Sequence, residues 1–298
     1  MENKRFKILG LFIFAMLLPV GIAAADDVNW TDLNPKFKGA TYVKDPSTCF
    51  SCHEEAEEAY NHATHAKAFK ANPPSAGDCE SCHGPRSLHI EDPSRELALT
   101  PKQQGKACLQ CHEGGTHMNW KSSAHNSADI SCTSCHTVMQ KKSEKALLSS
   151  VSEEALCTSC HTDVRGQMNK SSHHPVREGK MNCSDCHNPH GSVAPSMLKG
   201  NSVNETCYSC HQEKRGPYVW VHQPVIENCS TCHEAHGSNN RKLLAGRDAF
   251  ICLSCHTYGG HVNLPRYNRV SSSYGDGCVN CHTAVHGSNS PSGAKLTR

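Results

Sequence analysis

Every cysteine in this chain belongs to a C-x-x-C pair followed at once by histidine, and that pattern constrains the fold more than any apolar periodicity does. The 20 cysteines make ten such pairs. The first five are Cys49/Cys52-His53, Cys79/Cys82-His83, Cys108/Cys111-His112, Cys132/Cys135-His136 and Cys157/Cys160-His161. The rest are Cys183/Cys186-His187, Cys207/Cys210-His211, Cys229/Cys232-His233, Cys252/Cys255-His256 and Cys278/Cys281-His282. Two thiols about one helical turn apart suit thioether bonds to the two vinyl groups of a haem, and the adjoining imidazole is then aimed at the iron. Disulfides would explain an even cysteine count, and zinc or an iron–sulfur cluster would explain C-x-x-C. Neither calls for histidine after every second cysteine. The sequence therefore predicts ten covalently attached haem c groups, with the ten motif histidines as proximal iron ligands.

Only 37% of the 298 residues are hydrophobic, against roughly 45–50% in ordinary globular domains, so the macrocycles should be the main buried apolar bodies. Short helices are expected to carry motifs, for example Pro46 to Tyr60 and Ser150 to His161, the latter opening with Ser150-x-x-Glu153 as a capping box. Links such as Asn72-Pro73-Pro74 and Asn188-Pro189-His190-Gly191 break the segments between them. Strand content should be very low, and Gly287 to Arg298 reads as a loosely held tail.

Residues 1–25 have the layout of an export signal: Lys4, Arg5 and Lys7, then an apolar stretch from Ile8 to Val20, then Ala23-Ala24-Ala25. The stretch is shorter than the ~20 residues that span a bilayer, so it is expected to be removed, and no later segment reads as a lipid-spanning helix. The mature chain from Asp26 would form a single domain over 26–298, carrying 27 basic and 27 acidic side chains. A formal net charge of zero, no Lys/Arg cluster and 6% aromatics exclude the electrostatic footprint of a nucleic-acid binder.

Twelve further histidines are available as sixth ligands. Around every second motif a histidine precedes it and another residue with ligand chemistry follows it, which defines five two-haem repeats with motif starts at 49, 108, 157, 207 and 252. The distal candidates are His65 and His89, then His125, then His174 and His190, His222 and His236, and His261 and His286. In the second repeat the place three residues after His136, matching His190 and His236, holds Met139. Met139 is the tenth distal candidate, with His117 as the alternative, and methionine ligation would raise that haem's potential. His62, His117 and His173 are left over as solvated or propionate-pairing side chains. Each repeat would thus supply two distal ligands for its own two haems.

The run Asn182 to Ser192 (Asn-Cys-Ser-Asp-Cys-His-Asn-Pro-His-Gly-Ser), the run Glu205 to His211 leading on to Lys214-Arg215-Gly216-Pro217, and Cys281-His282 with Val285-His286-Gly287-Ser288 carry a family likeness. They resemble the decahaem cytochromes of porin–cytochrome conduits, the MtrA/DmsE type, over nearly the whole mature chain. The resemblance implies a multihaem cytochrome c fold: elongated, mostly coil with short α-helices, very little strand, and haem-cored. It implies a periplasmic electron wire seated in an outer-membrane β-barrel porin, linking periplasmic or inner-membrane c-type cytochromes to an outer-surface multihaem cytochrome or an extracellular substrate. Met139 stands where typical metal-reducing members have histidine and resembles the iron-oxidising branch. Fe(II) oxidation and reduction of a metal or other acceptor both stay open as the direction of flow. With no open iron position and no catalytic constellation, electron transport is favoured over enzymatic catalysis. The alternatives are a freely diffusing periplasmic shuttle to a terminal reductase and, third, a multihaem reductase with a five-coordinate haem. N-terminal sequencing of the exported protein should read from Asp26; a sequence starting at Met1 would show a retained anchor instead.

Overall fold

The computed structural model describes residues 28–257 and 277–297, so the expected signal segment and His261 lie outside the described residues. Its α-helices are short, from four residues as in Glu80–His83 to nine in Pro101–Leu109, and no described helix is long and apolar enough to cross a membrane. β-structure among the described residues is limited to isolated bridges such as His136 with Leu148, His187 with Leu198 and His233 with Leu244. Helices this short are marginal alone, so caps and the motifs must hold them. Thr100 and Gln103 form a reciprocal capping box at Pro101–Leu109, and Asn182 and Asp185 form another at Cys183–Cys186.

Each described motif closes a single helical turn, seen in the bonds from His83 N–H to the Cys79 carbonyl at 3.0 Å and from His187 N–H to the Cys183 carbonyl at 3.0 Å. The turn places both thiols on one face, and the histidine then leaves helical geometry. His53, at φ −118° and ψ 56°, shows the consequence. The expected helix Pro46 to Tyr60 is broken there into Pro46–Phe50 and Glu54–Asn61. The expected capping by Ser150 is also corrected: the helix is Glu153–Cys157, and the Ser152 side chain accepts from Ala155 N–H.

An apolar cluster exists at the N-terminal end, where Trp30, Phe37, Leu97, Leu99 and Ala107 are buried together. It covers the second motif: at Gly84, φ +78°, an added Cβ would lie 2.7 Å from the Trp30 ring. Glu80, inside that motif and 2% exposed, accepts from the backbone N–H groups of Val43 at 2.8 Å, Lys44 at 2.7 Å and Arg86 at 2.7 Å. Its carboxylate ties the segment before the first motif to the second.

The C-terminal tail is fastened rather than loose. Ala284 N–H bonds the Leu296 carbonyl at 2.9 Å, Ser288 bridges to Trp220, and Gly293 is buried against both. A backbone return from residue 296 to residue 284 is invisible to a composition rule about Gly/Ser-rich ends. Phe37→Ala should cost about 3–5 kcal/mol in denaturant unfolding followed by far-UV circular dichroism, with the number of haems bound unchanged. A cost near zero would show that the N-terminal cluster does not stabilise the chain.

Candidate haem-iron sites

The motifs stand beside one another in chain order. Within each pair from the sequence frame, the first cysteines are hydrogen-bonding neighbours: Cys49 with Cys79, Cys108 with Cys132, Cys157 with Cys183, Cys207 with Cys229, and Cys252 with Cys278. Between pairs, the second cysteines come within electrostatic reach: Cys82 of Cys111, Cys135 of Cys160, Cys186 of Cys210, and Cys232 of Cys255. The first-cysteine contacts are clamped by a side chain from the helix before the odd motif. Glu153 accepts from Ser184 N–H, Asn204 from Cys229 N–H at 2.7 Å, and Asp248 from Cys278 N–H at 3.1 Å. The grouping of Asp248, Cys252 and Cys278 is this clamp.

Cys281 is exposed, at the C-terminal end of the turn Cys278–Asn280, and its N–H bonds the Cys278 carbonyl at 3.3 Å. The other second cysteines named above meet across the junction between successive pairs of motifs. Cys52, in the first motif, is also exposed. Placement of Cys281 as a haem attachment point therefore rests on its own motif turn, ending in the bond from His282 N–H to the Cys278 carbonyl at 3.0 Å.

The imidazoles are aimed by their Nδ1 atoms. His136, His187 and His233 donate Nδ1–H to the carbonyls of Ala146 at 2.7 Å, Ser196 at 2.9 Å and Lys242 at 2.9 Å. Those acceptors sit at φ +55°, +54° and +57°, and each is followed by a second left-handed residue, Leu147, Met197 or Leu243. The second residue's carbonyl accepts from the N–H after the motif histidine, as in Asn188 to Met197 at 2.7 Å. Left-handed non-glycine backbone costs roughly 1–2 kcal/mol per residue, and here it presents two successive carbonyls that fix the ring. With Nδ1 engaged, Nε2 is left for a metal.

Among the described residues eight motif histidines face a second imidazole, and the partners come from the distal candidates. His53 faces His89 at a ring-centroid distance of 6.3 Å, His112 faces His65 at 6.0 Å, and His136 faces His190 at 6.0 Å. His161 faces His125 at 6.1 Å, His187 faces His236 at 6.1 Å, and His211 faces His174 at 6.3 Å. His233 faces His286 at 6.2 Å and His256 faces His222 at 6.1 Å. Two rings sharing a metal between their nitrogens, each bond ~2 Å, have centroids ~6 Å apart. The rings are thus spaced to grip one iron from both faces, which is the fit expected of bis-imidazole haem.

The pairing corrects the expectation that each repeat serves itself. The histidine preceding a repeat's second motif faces the first motif of the next repeat: His65 with His112, His125 with His161, His174 with His211 and His222 with His256. The histidine following a second motif faces the second motif one repeat back: His190 with His136, His236 with His187 and His286 with His233. His89, with no repeat before it, faces His53 of its own. The two crossing sets are tied together, because Nδ1–H of His125, His174 and His222 donates to Pro189, Ala235 and Val285, the residues just before His190, His236 and His286.

Of the leftover histidines, His173 pairs with Glu178 at 3.0 Å, and that hydrogen bond raises its pKa. His62 is exposed at the end of Glu54–Asn61. His117 lies 5.9 Å from His112 and 4.1 Å from His190, so it sits between two sites that already have a facing ring. Burial lowers the His83 pKa, and the charges of Arg86 and His53 add to it. Met139 is half-buried in the turn where the Thr137 hydroxyl donates to the Gln140 carbonyl at 2.7 Å.

A family model of the doubled CXXCH motif matches residues 125–166, 173–216 and 222–261. Each match opens at or beside a crossing histidine and runs past the motif histidine that it faces, so the doubled unit is offset by one motif from the repeat frame. The chain is also 39% identical to multiheme cytochrome MtrA of Shewanella baltica (strain OS185) over 303 residues, covering 95% of this chain and 89% of that protein. The motifs hold covalently bound haem c, and the arrangement suits passage of electrons.

Gly191→Ala tests the crossing directly, since an added Cβ would lie 2.5 Å from the Asn119 carbonyl oxygen. The variant should push His190 away from His136 and produce one high-spin ferric haem by electron paramagnetic resonance. An unchanged low-spin spectrum would mean that His190 does not serve that iron.

Proposed function

We propose, on the premise that the chain belongs to the multihaem c-type cytochromes of the MtrA type, that it is a ten-haem electron wire through the outer membrane, seated inside a porin-type β-barrel. The observation that carries this is the unbroken file of motif contacts from Cys49 to Cys278 in chain order, with imidazoles closing both faces of eight sites. When bound, haem c supplies a one-electron couple at each motif. The protein's part is to fix spacing and ligation. The Cys108–Cys132 type of contact sets one interval, the Cys82–Cys111 type sets the next, and Nδ1 hydrogen bonds such as that of His187 to Ser196 would hold rings in line with the metal. Rings on both faces leave a substrate no place to bind, so the proposal is a carrier rather than an enzyme.

The proposed attachment points are the 20 motif cysteines, Cys281 included on its motif alone. The proposed ligand set is the ten motif histidines with His65, His89, His125, His174, His190, His222, His236, His261, His286 and Met139. The proposed location is the periplasm, associated with the outer membrane through the barrel. The chain offers no apolar belt to lipid, and a large closed barrel from a separate protein would supply one. Periplasmic or inner-membrane c-type cytochromes would meet one end, and an outer-surface multihaem cytochrome or an extracellular substrate the other. A methionine-ligated iron favours entry of electrons from Fe(II), a weakly reducing donor.

Co-purification from detergent-solubilised outer membranes of the native host tests the conduit. A haem-stained chain carrying ten haems by intact mass, with a β-barrel protein at fixed stoichiometry, is the expected result. Release of all of it as a monomer with the periplasmic fraction would replace the conduit with the diffusing shuttle.

A further inference from the structure

The crossing rule leaves one motif histidine and one candidate ligand to be matched. Second-motif histidines are served from one repeat ahead: His136 by His190, His187 by His236 and His233 by His286. His190 and His236 each lie three residues after their own motif histidine. Moved back one repeat, the rule points from the residue three after His136, which is Met139, to His83. Among the described residues no imidazole ring stands opposite His83 at the ~6 Å spacing of the other pairs.

A second observation marks the same junction. His125, His174 and His222 each donate Nδ1–H to the carbonyl just before the crossing ligand. Their counterpart His65 has a buried Nδ1 with no hydrogen-bond partner. By the same register its acceptor is the carbonyl of Val138, the residue before Met139. A buried N–H left unsatisfied costs about 1–3 kcal/mol, so docking of the 137–140 turn against His65 would be favourable.

The departure at this junction involves more than the ligand. His190, His236 and His286 are each followed by Gly-Ser, and the glycines pack against the preceding repeat, Gly191 on Asn119 and Gly287 on Tyr218. Met139 is followed by Gln140 and Lys141. A rigid imidazole has to be aimed by a tightly docked backbone, whereas methionine, with three rotatable bonds, adapts its sulfur to a looser one.

We infer that Met139 Sδ is the sixth ligand of the iron held by His83, making the second haem in the file the His/Met centre, with docking of the 137–140 turn bringing the Val138 carbonyl to His65 Nδ1. This rests on the ten-haem reading above and adds which iron is distinct. The thioether donates a sulfur lone pair to the metal and no bond is broken. Methionine ligation raises the potential relative to histidine, so the step would lie one motif in from the N-terminal end of the file.

The test is near-infrared magnetic circular dichroism with potentiometric titration of the full haem-loaded chain. The native protein should show a thioether-to-iron charge-transfer band from one haem in ten and one potential above the rest. Met139→His should abolish the band and bring that potential down among the others. Cys82→Ala, which leaves its haem on one thioether, should shift the same potential, and Cys135→Ala should not. Ten haems with no thioether band, a high-spin signal in the native protein, or a high potential that moves with Cys135→Ala would each overturn the assignment and leave the wire standing. Fewer than ten haems by mass would count against the ten-haem reading itself.

Discussion

An imidazole from one stretch of chain set ~6 Å from the motif histidine of another is the interaction on which this structure depends. Outside the N-terminal cluster the described residues have few buried apolar side chains, Ala63, Met168 and Ala194 among them. The crossing pairs replace that missing core. His125 facing His161 ties one repeat to the next, and His190 facing His136 ties it in the opposite sense. From the second repeat onward each junction thereby has two ring pairs running in opposite directions, and the Nδ1 bond of His125 to Pro189 joins the two sets. A repeat array normally buries a continuous apolar face between neighbours; with the proposed ligand set, coordination bonds and backbone carbonyls would take that role.

The ends follow from the same rule, because a crossing array must stop somewhere. At the start, His89 turns back to His53, its Nδ1 held by the Arg95 carbonyl at 3.1 Å. Trp30, Phe37, Leu97 and Leu99 then cover the exposed end, with Glu80 fastening the leading segment. At the last motif, the segment after it wraps back so that His282 Nδ1 meets the Lys295 carbonyl at 2.6 Å. The ordinary protein interactions, an apolar cluster and backbone ladder bonds, are thus found around the first and last of the ten motifs.

Much of the site was legible because haem attachment fixes residue type and spacing together. The motif positions and the eight distal histidines that face a partner ring all stand in the sequence frame, and Met139 stands out by its place after His136. The pairing was not legible, since spacing says that His190 is available and says nothing about which iron it reaches. That depends on how the loop after His187 folds back, which is set by two left-handed residues, Ser196 and Met197, that no propensity rule marks. The helix from Pro46 failed at His53 because a ligand must leave the helix to aim its ring. The N-terminal cluster was missed although Trp30 and Phe37 are conspicuous in a chain with 6% aromatics. Their partners, Leu97 and Leu99, lie some sixty residues on, too distant for any local pattern to join them.

The central claim is that ligands cross between repeats and so hold the irons in one file in chain order. Iron-edge anomalous diffraction from crystals of the haem-loaded protein tests it most directly, because it locates each iron against its cysteines and both axial ligands. The account predicts ten irons in sequence order, with His190 on the iron of Cys132/Cys135 and His174 on the iron of Cys207/Cys210. Finding His190 on the iron of its own neighbours, Cys183/Cys186, or irons gathered in a branched cluster, would contradict it.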